Sequence, residues 1–227
     1  MSVDREGTAM NRLISFVTII FILAGAYVYY FPWATLRFKM TAEFETPQGL
    51  RTGSGLVEAT YGIQFNPVGG DVPLILRTFT VRGDAIAVEI PNASPVYVTL
   101  RPVSHQNLGA ELLDAVGEKP TKSGRDWIAE LQSLSGVGRI TPKSAPLLVT
   151  FRDPRDETSG RGSLPTDEIS PGVRLRGIRV EVTNEPISRN IQRHLPWLTS
   201  EPYRVAPNIS IRFATGRFEI VHSDLRK

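Results

Sequence analysis

His105, His194 and His222 are the side chains best able to move a proton near neutral pH, so their spacing decides what they can do together. They lie far apart and form no H-x-x-x-H or H-x-H pair, so no zinc site is encoded locally. A hydrolytic or ligand-binding site drawing on His105, His194 and Asp153 would have to be assembled wholly in three dimensions. Asp153, Asp156, Glu157, Asp167 and Glu168 offer the hard oxygens that calcium takes. Arginines intervene among them, however, and the D-x-[DN]-x-[DN]-G spacing is absent, which favours a solvated loop. With no cysteine, disulfides, thiolate catalysis and iron–sulfur ligation drop out.

Phosphate-binding glycine motifs fare no better. Gly53-Ser54-Gly55, Gly136-Val137-Gly138 and Gly160-Arg161-Gly162 are bare G-x-G triplets outside any strand-to-helix unit, and they read as turns. Neither a Walker loop nor a G-x-S-x-G elbow occurs. Arg82-Gly83-Asp84 suits a hairpin tip, where Gly and Asp serve the backbone. These observations lead us to expect no catalytic residue, no metal and no cofactor.

One constellation is harder to dismiss. Residues 186–195 read as a helix opening at Pro186, capped by Thr183 or Asn184, with Ile187, Ile191 and Leu195 on one face. Arg189 and Arg193 fall on another face, and the helix runs into Leu195-Pro196-Trp197-Leu198. Cations beside an aromatic and two leucines suit a partner protein or a lipid headgroup region, which makes Arg189, Arg193, Trp197 and Leu198 candidate contact residues. The competing reading is that Trp197 and Leu198 pack the core.

Those residues must be held by something, and the first element in the chain is the most distinctive. After a short tail, 1–12, the 24 residues from Leu13 to Leu36 carry no charge and are flanked by Arg12 and Arg37. About 20 helical residues cross a hydrocarbon core, where only an internally bonded helix is open to a single span. Tyr27, Tyr29, Tyr30 and Trp33 crowd one end, where amphipathic rings sit at headgroup level, and Pro32 closes the helix. The expectation is a transmembrane anchor over 13–36. Ala24-Gly25-Ala26 keeps a cleaved signal peptide in play, although the apolar run continues past it. Flanking Lys and Arg counts are near a tie. An uncleaved signal-like helix with a short tail leaves its N-terminus inside, which would place the domain in the periplasm.

Residues 37–227 then read as one β-rich domain. Residues 36–46 alternate cleanly, with Leu36, Phe38, Met40, Ala42 and Phe44 facing one way. Further strands are expected over 55–61, 96–101, 147–151 and 173–182, the last with a bulge near Gly177. Hairpins are expected for 74–81 with 85–90, and for 209–213 with 217–221. Residues 108–116 and 125–134 switch to helical period, with Trp127, Ile128, Leu131 and Leu134 on one stripe. Residues 153–172 read as a polar surface loop. The fold class is α+β or mainly β, a sandwich-like sheet of about eight or nine strands with two or three short helices.

A net charge of +3, from 26 basic and 23 acidic residues spread without a like-charged run of five, gives no footing for nucleic acid. The stretches TPQGLRTGSGLVE (46–58), VRGDAIAVEI (81–90), PLLVTFRDPRD (146–156) and PGVRLRGIRVEVTNEPISRNIQRHLPWL (171–198) resemble a bacterial family of single-pass, membrane-anchored β-rich proteins. The resemblance implies one anchor followed by this domain, and supplies no activity or site residue. The functional expectation is a non-enzymatic interaction or assembly module of the envelope, in contact with membrane lipid and a membrane or envelope protein. The alternative is an envelope hydrolase or ligand-binding domain.

Overall fold

The computed structural model describes the backbone of residues 3–65, 75–103, 107–117, 124–187, 190–198, 209–213, 216–220 and residue 225. Helix α1 (Val3–Tyr30) leads directly into β1 (Trp33–Thr46), and β2 (Gly49–Phe65) returns antiparallel from the turn at Pro47-Gln48. The helix therefore ends earlier than the span expected over 13–36. Phe31 donates the last helical bond to Tyr27 O, Pro32 has no N–H to continue, and Trp33 to Leu36 belong to a strand.

β1 forms because every second residue can enter the core. Ala34, Leu36, Phe38, Met40, Ala42 and Phe44 are buried, as the alternation predicts. Each large side chain so buried contributes about 1.5–3 kcal/mol. β1 pairs with β2 from Trp33↔Gly62 to Thr46↔Gly49, and on its other side with β10 (Val173–Thr183). The β10 register shifts where Glu43 pairs with Gly177 and Phe44 with Leu175, leaving Arg176 as the extra residue of the bulge. β3 (Ile75–Gly83) flanks β2, while β6 (Val137–Ile140) and β9 (Glu168–Ser170) pair with β10, which completes a six-stranded antiparallel sheet.

A second antiparallel sheet has the order β4-β5-β7-β8, from β4 (Ile86–Val88), β5 (Val96–Pro102), β7 (Pro146–Phe151) and β8 (Gly160–Ser163). The hairpin expected around Gly83 is absent: β3 pairs with β2, and β4 pairs with β5. Gly83 has the expected positive φ of 148°, but it carries the chain from one sheet to the other. A Cβ there would lie 3.0 Å from Leu56 O, so the crossing hugs β2. Leu74 lies outside the described residues. The segment read as a loop, 153–172, holds a one-turn 3₁₀ helix (Glu157–Ser159) as well as β8 and β9. Their side chains lack alternation because pairing at a sheet edge needs only the backbone.

Helices α2 (Leu108–Ala115) and α3 (Gly124–Gln132) form where the period changes. Asn107 caps α2 by accepting from Gly109 N at 2.9 Å, and Trp127, Ile128, Leu131 and Leu134 are all buried. Both helices, the inner face of the large sheet and one face of the small sheet share the main core. The small sheet's other face, bearing Tyr97, Leu147, Val149 and Phe151, joins Ile191, Leu195, Leu198 and Leu225 in a second cluster. Strands buried on both faces explain why β5 and β7 carry apolar side chains at successive positions, Val96-Tyr97-Val98 and Leu147-Leu148-Val149. A hairpin of β11 (Ile209–Phe213) and β12 (Gly216–Ile220) matches the expected pair to within a residue.

Candidate functional site

Two regions hold the candidate residues: the end of α1 and the segment 190–198. On α1, Tyr27, Tyr29 and Tyr30 are exposed, and so is Trp33 at the start of β1. Tyr27 packs against Phe31 at 5.1 Å, Tyr29 meets Tyr30 edge-on at 5.3 Å, and Phe31 packs on the main core. Arg125, in the first turn of α3, places its guanidinium 4.2 Å from the Tyr29 ring centre. No sequence signal links Arg125 to Tyr29, because only the docked helix end brings them together.

From Leu13 to Leu23 the large apolar side chains of α1 are exposed on every face, with Phe21 at 72%. The described side chains run unbroken from Leu13 to Tyr27, about 22 Å of helix. Among the described residues, no helix is long and apolar enough to cross a membrane.

The helix expected at 186–195 does not form. Residues 184–187 have no regular structure, Arg189 lies outside the described residues, and only Ile191–Arg193 make a single 3₁₀ turn. Asp84, itself buried, holds that turn by accepting from Ile191 N at 3.0 Å. The i, i+4 spacing of Ile191 and Leu195 is met by a tight turn, Leu195 N donating to Ile191 O at 2.8 Å, and it buries both against the outer face of the small sheet. Leu198 is wholly buried there. Trp197 is half-buried, its Nε1 donating to Pro154 O at 3.0 Å and its ring edge-on to Phe151 at 5.5 Å. Arg193 is exposed. His194 brings Nδ1 to 3.5 Å from Glu89 Oε1 and its ring edge-on to Tyr97 at 6.4 Å.

Beside this segment lies a cavity of about 270 Å³, bordered by Ser54 and Gly55 on β2, Asp84 at the sheet crossing, and Asn190, Arg193 and His194. All three G-x-G triplets lie in or at strands, not in turns; Gly53 is needed because a Cβ would run into Ala87 O of β4. The cavity's mixed lining suits a small polar ligand. Sequence reasoning missed Ser54, Asp84 and Asn190. Only Asp84, an acid opening the apolar run 85–88, left a signal.

The other acids do turn work. Asp153 accepts from Arg155 N at 2.9 Å, Asp156 from Thr158 N at 2.9 Å, and Asp167 from Leu164 N at 3.2 Å. Glu168 pairs with Arg174 at 2.9 Å. Hydrogen bonds from Thr158 hold the Asp156 carboxyl below the usual range, and those from Gly172 and Arg174 do the same for Glu168. His105 and His222 lie outside the described residues. Asp153 serves its own loop, and His194 faces Glu89.

Two tyrosines mark the two cores. Burial raises both phenols, Tyr61 far above the ordinary value and Tyr97 to about 12, with Glu89 adding to Tyr97. Tyr61 donates to Gly109 O at 3.0 Å, whereas the buried Tyr97 hydroxyl meets no partner among the described residues. Comparison with known protein families, curated proteins and solved structures finds no match for this chain.

Proposed function

We propose that the chain is a single-pass protein of the bacterial inner membrane, anchored by α1, with its β domain in the periplasm. There the domain works as a non-enzymatic interaction or assembly module, a subunit or accessory of a membrane complex. The observation that carries the reading is the all-round exposure of α1 from Leu13 to Leu23. Water penalises such a surface by about 25 cal/mol per Å², while lipid does not. The exposed Tyr27, Tyr29, Tyr30 and Trp33 suit the bilayer interface. Support for a positioned module comes from the junction, where Phe31 packs on the core and Arg125 covers Tyr29, so the domain is held at the helix end.

Membranes carrying the full chain should retain it through alkaline carbonate, and Ile19→Arg with Ile20→Arg should release it. Retention of that double variant sinks the anchor. Recovery of the domain lacking its first 26 residues would instead show cleavage after Ala26. A C-terminal alkaline phosphatase fusion should be active and a fluorescent-protein fusion dark; the reverse pattern moves the domain to the cytoplasm. As a module, the chain should lose its co-purifying partner with Arg189→Glu and Arg193→Glu, while stability moves by under ~0.5 kcal/mol.

The cavity at Asp84, Asn190, Arg193 and His194 favours one second reading, a ligand-binding or hydrolytic domain. Replacing His105, His194 and His222 together separates the two. An assembly module keeps its cellular phenotype, and a histidine-dependent enzyme loses it.

A further inference from the structure

On the small sheet a second and more open cavity of about 480 Å³ is bordered by Ser94, Thr150, Arg152, Thr158, Ser159 and Arg161. Strand pairing builds it. Thr150 and Arg161 are register partners on β7 and β8, and Arg152 follows Thr150 by two residues, so the two arginines stand near one another. The 3₁₀ turn Glu157–Ser159 folds over them, held because Arg152 N donates to Ser159 O at 3.4 Å and Asp153 N donates to Ser159 Oγ at 3.1 Å.

Two adjacent guanidiniums repel each other unless something anionic lies between them. The loop is rich in acids, and two of them, Asp153 and Asp156, serve its turns. Asp153 caps Arg155 N, and one oxygen of Asp156 takes both Thr158 N and Thr158 Oγ1. Asp156 also feels Arg152 through space, although this is the weakest influence on its carboxyl. Among the described residues, neither Arg152 nor Arg161 forms an ion pair within 4 Å or a side-chain hydrogen bond. Of the four hydroxyls, Thr158 and Ser159 are spent on the turn, the single Ser159 proton being shared between Asp153 O and Asp156 O, both 2.8 Å away. Ser94 and Thr150 remain, since Thr150 makes only a long contact of 3.5 Å to Arg161 O. Two forked cations, the Ser94 hydroxyl and a weakly held Thr150 hydroxyl on one concave surface match the oxygens of a tetrahedral anion.

The geometry points to an oxyanion-binding seat between Arg152 and Arg161 that takes a phosphate group, free or as the monoester of a larger molecule. It does not rest on the membrane reading, and nothing in the cavity beside Asp84 contributes to it.

The test is a calorimetric titration of the full chain in neutral detergent with inorganic phosphate and, separately, glycerol 3-phosphate, with chloride holding the ionic strength constant. Saturable binding of at least one is expected, weakened tenfold or more by Arg152→Gln and by Arg161→Gln, with melting temperatures in phosphate-free buffer unchanged. Arg161→Lys should recover only part of the affinity, because it restores charge without the fork. Glycerol 3-phosphate binding at least tenfold tighter assigns the seat to a phosphomonoester headgroup; equal affinities assign it to free phosphate. No saturable heat with either compound, or unchanged affinity in both glutamine variants, overturns the proposal.

Discussion

β1 and β2 run for 14 and 17 residues and bury one face of their sheet, whereas β4, β5, β7 and β8 run for 3, 7, 6 and 4 residues in a sheet covered on both faces. The long strands carry their register with them, because a one-residue slip would turn Phe38, Met40 and Phe44 out to solvent. The short strands depend on chain from elsewhere: 190–198 lies on their outer face, and Ala85 N donates to Leu225 O at 2.7 Å. The large sheet is thus specified locally, and the small sheet by docking. Both candidate cavities border the small sheet or the crossing that leads into it.

The largest effect expected follows from that contrast. Phe38→Ala, at the fully buried centre of β1, should cost about 3–5 kcal/mol and unfold the domain as a unit, read by denaturant melts. Leu198→Ala should cost less, about 2–3 kcal/mol, and should raise hydrogen exchange at the Ile191 amide while the β1 amides stay protected. Equal exchange throughout would show a single cooperative unit and dissolve the distinction. Trp197→Ala belongs with Leu198→Ala, since its ring and its bond to Pro154 hold the same segment.

The tyrosines sharpen the comparison at smaller scale. Tyr61→Phe should cost about 0.5–1.5 kcal/mol, because it removes the buried bond to Gly109 O. Tyr97→Phe should stay within about 0.5 kcal/mol or stabilise, since no partner among the described residues is lost. Tyr97 also has a pH signature. Its phenol ionises near 10 when unfolded and near 12 when folded, so the unfolded state binds fewer protons in that window, and stability falls as pH rises. Tyr97→Phe should flatten that alkaline slope by at most about 1.4 kcal/mol per pH unit, and an unchanged slope would show that Tyr97 does not carry it.

The smallest effects lie on the exposed face. Glu43→Gln, which neutralises the 2.6 Å pair with Arg139, should change stability by about 0–1 kcal/mol and less in high salt. Asp156 has a depressed folded-state pKa, so its contribution is present above the ordinary carboxylate range and disappears as pH falls below it. Asp156→Asn should therefore remove a small part of the acid sensitivity in thermal melts between pH 5 and pH 2.

What could be read from the residues tracks the same divide. β1, β10 with its bulge at Gly177, α2 and α3 were legible because alternation and helical stripes are local properties. β8 and β9 were hidden inside a polar stretch, since edge pairing leaves no pattern in side chains. The helix expected at 186–195 failed for a different reason. Ile187, Ile191 and Leu195 were read as one face of a helix; Ile191 and Leu195 are buried, but a carboxylate 107 residues away in sequence accepts from the Ile191 amide, and the segment makes a single turn instead. Of the candidate contact residues, Arg193 is exposed and Leu198 is interior, a separation that depends on which sheet face awaits the chain. Ser54 and Arg125 were invisible for the same cause, since their neighbours come from distant elements.

The two residues between α1 and β1 have a mechanical consequence. Phe31 is packed on the core and Pro32 has a restricted φ, so no slack separates the last helical turn from a strand of 14 residues. A stiff elbow there would make helix and sheet a crank. At about 3.3 Å per residue, β1 is an arm of roughly 45 Å, and a 10° change in the tilt of α1 would swing its far end by about 8 Å. A force leaning the helix would then be delivered, amplified, to the turn at Pro47-Gln48.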